Sequence, residues 1–428
     1  MAPIAHPHRP GVFSLLQARG FVQTHTDEDA LAAHFDAGPV VFYAGFDPTA
    51  DSLHAGHLLP VMCMSWLQRF GHKPIVVLGG GTGRVGDPTG KDKTREVLTP
   101  EIIAHNLRCQ KEQIARYLSF EGDNAAIMVD NAEWLMQWGY VDFLREVGSH
   151  FSVNRMLTAE GVRQRLDRDQ GLSFVEFNYH LLQSYDFLHL HREHGCTVQL
   201  GGDDQWFHIL GGIALIRRVA RAKGHAFTIP LLNTASGKKM GKTEAGAVFL
   251  DRDKCSPYDW FQYWLNVHDD DVARFLRLYT WLGLDEVEAA TAEGGRALRD
   301  AKRLLARATT TMAHSESEME DADFVSATLF SKKPLSDEDK ARIVRVLGES
   351  GTFTRATVPA GTAWADAAIA VGLAASKSEA NRLVKQGGAR VWQEKVTDAG
   401  AVVEASAVLW AGKKKAALVV VEPARLGD

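Results

Sequence analysis

The alternation of two hydrophobic periodicities over the first 235 residues constrains this chain more than any other feature. Short β-type runs, Pro39–Phe46, Pro74–Leu78, Ala125–Asp130, Cys196–Leu200 and Phe227–Leu231, are separated by stretches of helical spacing such as Leu58–Phe70 and Glu101–Leu118. Strands that alternate with helices pair in parallel through crossovers, and the resulting sheet is covered on both faces. The expected class is therefore α/β. From Ser256 to about Met319 the spacing is helical throughout, with Trp260, Phe261, Trp264, Leu265, Phe275, Leu276 and Tyr279 recurring on it. The acidic stretch Glu316–Asp323 reads as a solvated helix end. Between Ser331 and Thr362, Pro334, Gly348, Gly351, Pro359 and Gly361 punctuate the chain. This predicts a linker with one short helix near Glu338–Leu347. The last residues predict a helix bearing Lys377, Arg382 and Lys385, a Gly387-Gly388 turn and strand-like segments. The division expected is 1–245, 246–330, a linker at 331–362, and 363–428.

Composition removes several classes. Apolar residues make up 45% and charged residues 24% of the 428, which excludes a disordered or fibrous chain. With 48 basic and 53 acidic residues the net charge is −5, so contact with a nucleic acid has to come from a local basic patch. Cys63, Cys109, Cys196 and Cys255 are far apart and form no C-x-x-C, so neither a zinc site nor a disulfide framework is expected. Met1–Gly20 lacks a signal-peptide core. The longest apolar-looking run, Ala363–Ala375, contains Asp366 and is too short to cross a bilayer. A cytoplasmic protein is expected.

Two motifs invite other readings. Gly81-Thr82-Gly83-Arg84-Val85-Gly86 fits G-x-G-x-x-G after a strand, the mark of a dinucleotide-binding dehydrogenase. That fingerprint must open a helix, and here Asp87-Pro88-Thr89-Gly90 supplies turn chemistry instead. Gly241-Lys242-Thr243 resembles the end of a P-loop, but Ser236 stands where its first glycine is required.

A different constellation is more informative. Tyr43 to His57 reads Tyr-Ala-Gly-Phe-Asp-Pro-Thr-Ala-Asp-Ser-Leu-His-Ala-Gly-His. A strand ends near Phe46, Asp47-Pro48 turns the chain, and Ser52 is the expected N-cap of the next helix. His54 and His57, three apart, then share a face beside exposed helix N–H groups, a setting for phosphate. Gly56 lets a flat base or ribose approach the backbone. Far downstream, Gly237-Lys238-Lys239-Met240-Gly241-Lys242-Thr243 concentrates positive charge between glycines. Lysines on flexible stems can follow a polyphosphate and stabilise its transition state.

Together these two segments resemble the class I aminoacyl-tRNA synthetases, whose signatures are HIGH and KMSKS, and in more detail the bacterial tyrosyl-tRNA synthetases. Ala55 replaces the isoleucine of the first motif, and Gly241-Lys242-Thr243 replaces Ser-Lys-Ser, both within the family's range. Gly86–Lys91 resembles the family's glycine-rich loop. Tyr179, Gln183, Tyr185-Asp186-Phe187-Leu188 and Gly201–Trp206 resemble its substrate blocks.

The resemblance implies a Rossmann-like catalytic domain with an inserted helical dimer-interface segment, an α-helical domain and a small S4-like RNA-binding domain at the end. It implies that Tyr43 and Asp186 bind the hydroxyl of L-tyrosine. Asp87, Tyr179 and Gln183 would hold its ammonium, and Gln205 would face its carboxylate. Asp204 would take the ribose, with Gly45, Asp47, Gly56, Gly202 and Met240 also on the ATP side. His54, His57, Lys239 and Lys242, with Thr49, Lys91 and Arg95, would serve the phosphates. ATP is then a substrate that brings Mg²⁺; no tightly bound cofactor and no metal site in the protein are expected. The substrate carboxylate is itself the nucleophile, so no protein nucleophile is required.

Ala374–Val396 resembles the S4-type domain, and Lys377, Arg382, Lys385 and Arg390 would meet the tRNA backbone. A homodimer with no membrane association is implied. The tryptophanyl-tRNA synthetases share the fold and both signatures, but the Tyr43–Asp186 pair and the S4-like tail favour tyrosine. An RNA-binding protein on an inactive synthetase fold would not need both histidines and both lysines.

Overall fold

A computed structural model describes residues 11–87, 98–167, 172–235, 237, 240–243, 246–331, 333–413 and 415–422. These fall into two compact units. One comprises the residues up to 249 with His268–Ala301; the other comprises Leu250–Val267 with the residues from 302 onward.

The first unit is built on five parallel strands, β1 (Val41–Phe46), β2 (Lys73–Leu78), β3 (Ile127–Asp130), β4 (Val198–Gly202) and β5 (His225–Ile229), in the order β3-β2-β1-β4-β5. Each lies within about two residues of its sequence expectation. Ile75, Val76, Val77, Val198, Ala226 and Phe227 are buried, as strands covered on both faces require. The helices of this unit include α1 (Leu58–Arg69), α2 (Pro100–Ile114), α3 (Phe174–His194) and α4 (Trp206–Leu215). The 21-residue α3 is bounded by a Ser173–Glu176 capping box and by Gly195 in the left-handed region at φ +64°. Since β1 lies between β2 and β4, the sheet reverses direction there. An open α/β sheet binds ligands outside the carboxyl ends of its strands at such a point.

Two expectations about boundaries are corrected. Helices Val272–Tyr279 and Leu284–Thr291 belong to the first unit rather than to a separate helical domain. The reason is the buried Arg19, whose guanidinium donates to the carbonyls of Arg277, Leu282 and Thr280 at 2.8, 2.8 and 3.0 Å. Trp281 also donates to Ser65 at 3.1 Å.

The stretch read as a linker carries the one helix expected there, as Asp337–Glu349, but also a strand, Arg355–Pro359, that pairs in parallel with Lys415–Glu422. That strand was hidden because its pairing partner lies some sixty residues downstream in sequence. The turn between helix and strand is fixed by the buried Asp259, which accepts from Ser350 Oγ at 2.6 Å and Gly351 N at 2.7 Å.

The second unit contains a five-stranded mixed sheet over a core that includes Trp364, Ala367, Ala380, Leu409 and Val419. The expected basic helix is present as Lys377–Lys385, and Gly387 turns the chain at φ +67°. The acidic stretch opens a helix, Glu316–Thr328, rather than ending one. Its Asp323 is buried against Arg303 and Arg307, and Asp321 pairs with Arg342 and Arg345. Among the described residues, no helix is long and apolar enough to cross a membrane.

Candidate active site

A cleft of about 620 Å³ opens at the carboxyl ends of the strands in the first unit. Of the residues singled out from sequence, it is lined by Tyr43, Gly45, Asp47, Thr49, His54, Gly56, His57, Asp87, Tyr179, Gln183, Asp186, Gly202, Asp204, Gln205 and Met240. Tyr179, Gln183 and Asp186 reach it from one face of α3 because they are four and three residues apart. Lys91, Arg95 and Lys239 lie outside the described residues. Lys242 is placed by its backbone only, in a short strand Lys242–Thr243 that pairs with Gly246–Ala247.

One end of the cleft is buried and built from side chains on regular elements. Asp186 is buried; its two oxygens accept from Asn131 Nδ2 at 3.0 Å and Trp134 Nε1 at 2.8 Å. Burial pushes its carboxyl up to about 7, against the opposing pull of these two donors. The Tyr43 hydroxyl is buried with no hydrogen-bond partner among the described residues. Burial, and then Asp186 nearby, hold that phenol well above its ordinary value. Gln183 Oε1 and Gln199 Oε1 are likewise buried without partners among the described residues. Unpaired polar atoms around one cleft mark where a ligand's own polar groups fit.

Asp47, directly after β1, accepts from Thr82 Oγ1 at 2.8 Å and from Tyr179 Oη at 2.9 Å. Gly79 permits this, since a Cβ there would come within 2.2 Å of Asp47 Oδ1. Asp87 Oδ2 accepts from Gln205 at 2.8 Å. The glycine-rich fingerprint is spent inside the protein. The N–H groups of Gly80 and Gly81 donate to Asp130 Oδ1 at 3.0 Å and Asn131 Oδ1 at 2.8 Å, so they are not offered to a pyrophosphate.

At the other end the two signature segments meet. Ser52 does not cap a helix; its buried hydroxyl donates to the Leu53 carbonyl at 2.8 Å. The cap is His54, whose Nδ1 accepts from Gly56 N at 3.0 Å and opens a 3₁₀ turn, Ala55–His57, ahead of α1. The two imidazoles stack with centroids 3.7 Å apart. Burial and then His54 pull His57 down to about 3, so it is a neutral donor at physiological pH rather than a cation. The downstream loop closes on this turn. Ala55 N donates to Val248 O at 3.0 Å, and Met240 N donates to Leu232 O at 2.9 Å. A Cβ on Gly56 would come within 2.9 Å of the Met240 carbonyl, and one on Gly241 within 2.8 Å of Gly56 N. The loop before the turn hangs on α2: Asn106 donates to Pro48 O at 2.8 Å, Gln110 to Ala50 O at 3.1 Å, and Gln113 accepts from Leu53 N at 2.8 Å.

Sequence reasoning missed Asn131, Trp134 and Gln199, which carry no motif of their own, and Thr82, which lies inside the Gly81–Gly86 motif. Position after β3 was the only available signal for the first, since the ends of neighbouring strands converge here.

In the second unit the basic residues are partly committed. Lys377 pairs with Asp366 at 2.9 Å, and Arg382 lies 3.6 Å from Glu379. Arg390 donates to the Gly412 carbonyl at 3.0 Å. Lys385 is exposed.

Comparison with known proteins gives the family. A tyrosine–tRNA ligase from Clostridium kluyveri is 47% identical over 90% of this chain and 92% of its own length. One from Clostridium botulinum is 44% identical over 96% of this chain and 99% of its own. Among solved structures, a C-terminally truncated mitochondrial tyrosyl-tRNA synthetase of Aspergillus nidulans superposes with a TM-score of 0.69 at 29% identity, covering 76% of this chain and 95% of that one. A tryptophan-bound tryptophanyl-tRNA synthetase from Encephalitozoon cuniculi shares the fold, with a TM-score of 0.53 at 12% identity over 78% of this chain and 93% of that one. The family model for class I tRNA synthetases of the W and Y type matches residues 36–331, and the chain belongs to that family.

Proposed function

We infer that this chain activates L-tyrosine with ATP, releasing pyrophosphate, and transfers the tyrosyl group to the 3′ end of its tRNA. The observation that carries the choice of tyrosine is the buried, unpartnered Tyr43 hydroxyl near an Asp186 carboxylate already held by Asn131 and Trp134. A phenol there donates to Asp186 and accepts from Tyr43, whereas an indole or a phenyl ring leaves at least one of them unpaired.

The rest of the substrate runs along the cleft. Asp87, Tyr179 and Gln183 receive the ammonium, and Gln205 turns to the carboxylate. Asp204 takes the ribose, with Gly45, Asp47, Gly202 and Met240 along the nucleoside. The carboxylate attacks the α-phosphorus in line. Because His57 is neutral, it contributes an N–H dipole at a fixed position beside His54, and Lys239 and Lys242, with Lys91 and Arg95, supply the charge. Mg²⁺ arrives with ATP. Thr49, beside Asp47, completes the phosphate side.

Lys377, Arg382, Lys385 and Arg390 are the proposed tRNA contacts, and the ion pairs at Lys377 and Arg382 are exposed ones that a phosphate can displace. Met136, Tyr140, Val141, Val153, Phe174 and Val175 are exposed apolar side chains concentrated within forty residues, which supports a homodimer through that segment. The chain's likeness to bacterial tyrosine–tRNA ligases supports a cytoplasmic location.

Pyrophosphate exchange into ATP with tyrosine, tryptophan and phenylalanine tests the central reading. Exchange driven by tyrosine is expected, and exchange driven by tryptophan instead would overturn it. For the tail, replacing Lys385 and Arg382 together with Ala should weaken tRNA binding and flatten its salt dependence while leaving exchange intact.

A further inference from the structure

Asp87 is contacted from the far side by a residue that does not reach the cleft. Gln205 takes Oδ2, and His208, on α4, places Nε2 3.7 Å from Oδ1. Both side chains are nearly buried, at 9% exposure for His208 and 11% for Asp87. Behind His208 stands a second imidazole: its Nδ1 lies 3.1 Å from Nδ1 of His180. His180 follows Tyr179 on α3, so the helix turns it away from the cleft and onto α4. Its ring packs edge-on to Phe151 at 5.2 Å and against Phe207 at 4.4 Å. Gly211 makes the room, since a Cβ there would come within 2.4 Å of His180 Cε1.

Two ring nitrogens 3.1 Å apart need one proton between them, or their lone pairs oppose. Burial, then His208 and Arg155, pull His180 down to about 2, so His180 is neutral. A carboxylate facing Nε2 of His208 favours the tautomer with its proton there. The single proton between the two Nδ1 atoms ties the His208 ring to His180 whichever of the two carries it. Either way, Nε2 of His208 keeps a proton toward Asp87. It is the way an outer group fixes the orientation of a histidine ring so that its other nitrogen serves a functional ligand.

We propose that His208, its ring held in place by His180, is a positioning residue that holds the Asp87 carboxylate in the orientation from which it receives the substrate's ammonium. This rests on the reading of Asp87 as the ammonium's partner. The contact at Oδ1 keeps the carboxylate from rotating when Gln205 leaves Oδ2 for the substrate carboxylate.

The test compares tyrosine with 3-(4-hydroxyphenyl)propanoate, which lacks the ammonium, as a competitive inhibitor of pyrophosphate exchange. His208→Leu should raise KM for tyrosine about tenfold or more, the scale of taking a polar partner away from a nearly buried carboxylate. KM for ATP and Ki for the propanoate should stay unchanged. His208→Gln, which restores an amide Nε2, should recover most of the loss, and His180→Phe should give a smaller rise with the same selectivity. An equal loss for tyrosine and the propanoate, no rescue by Gln, or no loss overturns the proposal. Should His208→Leu not fold, His180→Phe carries the same comparison. Asp87→Asn separates the two levels: if it weakens tyrosine and the propanoate alike, the reading of Asp87 fails, and the role of His208 falls with it.

Discussion

At the Tyr43 end of the cleft the polar groups are side chains on β1 and α3, and Asp186 among them is oriented by the buried Asn131 and Trp134. At the His54 end the working surface is largely backbone, where the turn Ala55–His57 and the loop at Met240-Gly241 approach so closely that glycine is required on both sides. The first end can distinguish one side chain from another, because burial makes an unpaired polar group costly. The second suits a group common to every amino acid activation, since backbone and two stacked imidazoles recognise charge and geometry rather than identity. Specificity and chemistry are thus separable by substitution.

The largest separation is expected at Asp186. Asp186→Ala should abolish most of the preference for tyrosine over phenylalanine, about 10⁴–10⁵-fold, a range for which tyrosine-specific synthetases are themselves the reference case. The ratio of kcat/KM values in pyrophosphate exchange measures it. A retained preference would place discrimination elsewhere and break the contrast.

At the opposite end, His54→Ala or His57→Ala should slow adenylate formation about 10²–10³-fold, the scale of losing one preorganised donor. Tyrosine affinity should be unchanged. Single-turnover rates beside equilibrium binding distinguish these effects, and weaker tyrosine binding at an unchanged rate would reverse the assignment.

A pH series sharpens the comparison further. Asp186 titrates at about 7 in the folded protein against an ordinary 3.8, so its carboxylate form, needed to accept from the phenol, is lost as pH falls through 7. KM for tyrosine should then rise toward about tenfold per pH unit between 7 and 5, and Asp186→Asn should flatten the profile. Stability of the unliganded protein has the opposite sign. A carboxyl raised on folding contributes most below 3.8, and that contribution is withdrawn as pH climbs to about 7. His57, at about 3, adds no step to the activity profile above pH 5.

The smallest effect belongs to the close approach of the two loops. Gly241→Ala puts a Cβ at φ +78° and 2.8 Å from Gly56 N. The left-handed strain is about 1–2 kcal/mol, so the ATP-dependent rate should fall about tenfold while tyrosine binding is retained. An unaffected rate would mean that the approach is not used in the reaction.

The sequence alone determined the alternation that makes a parallel sheet and the motifs at its strand ends, because hydrophobic period and turn chemistry are local properties. It placed Tyr179 and Gln183 on one side of a helix for the same reason: four-residue spacing needs no partner to be read. The tertiary structure decided the rest. Asn131 and Trp134 matter only because the turn after β3 lands beside α3. Arg19 draws helices from beyond residue 268 into the first unit through carbonyls that any sequence would possess. The strand Arg355–Pro359 is defined by pairing with Lys415–Glu422, and a bond between segments some sixty residues apart leaves no mark on the periodicity of either. His57 has the spacing of a cationic phosphate ligand, yet it is neutral because protonation depends on the protein packed around the ring, which the order of residues along the chain does not state.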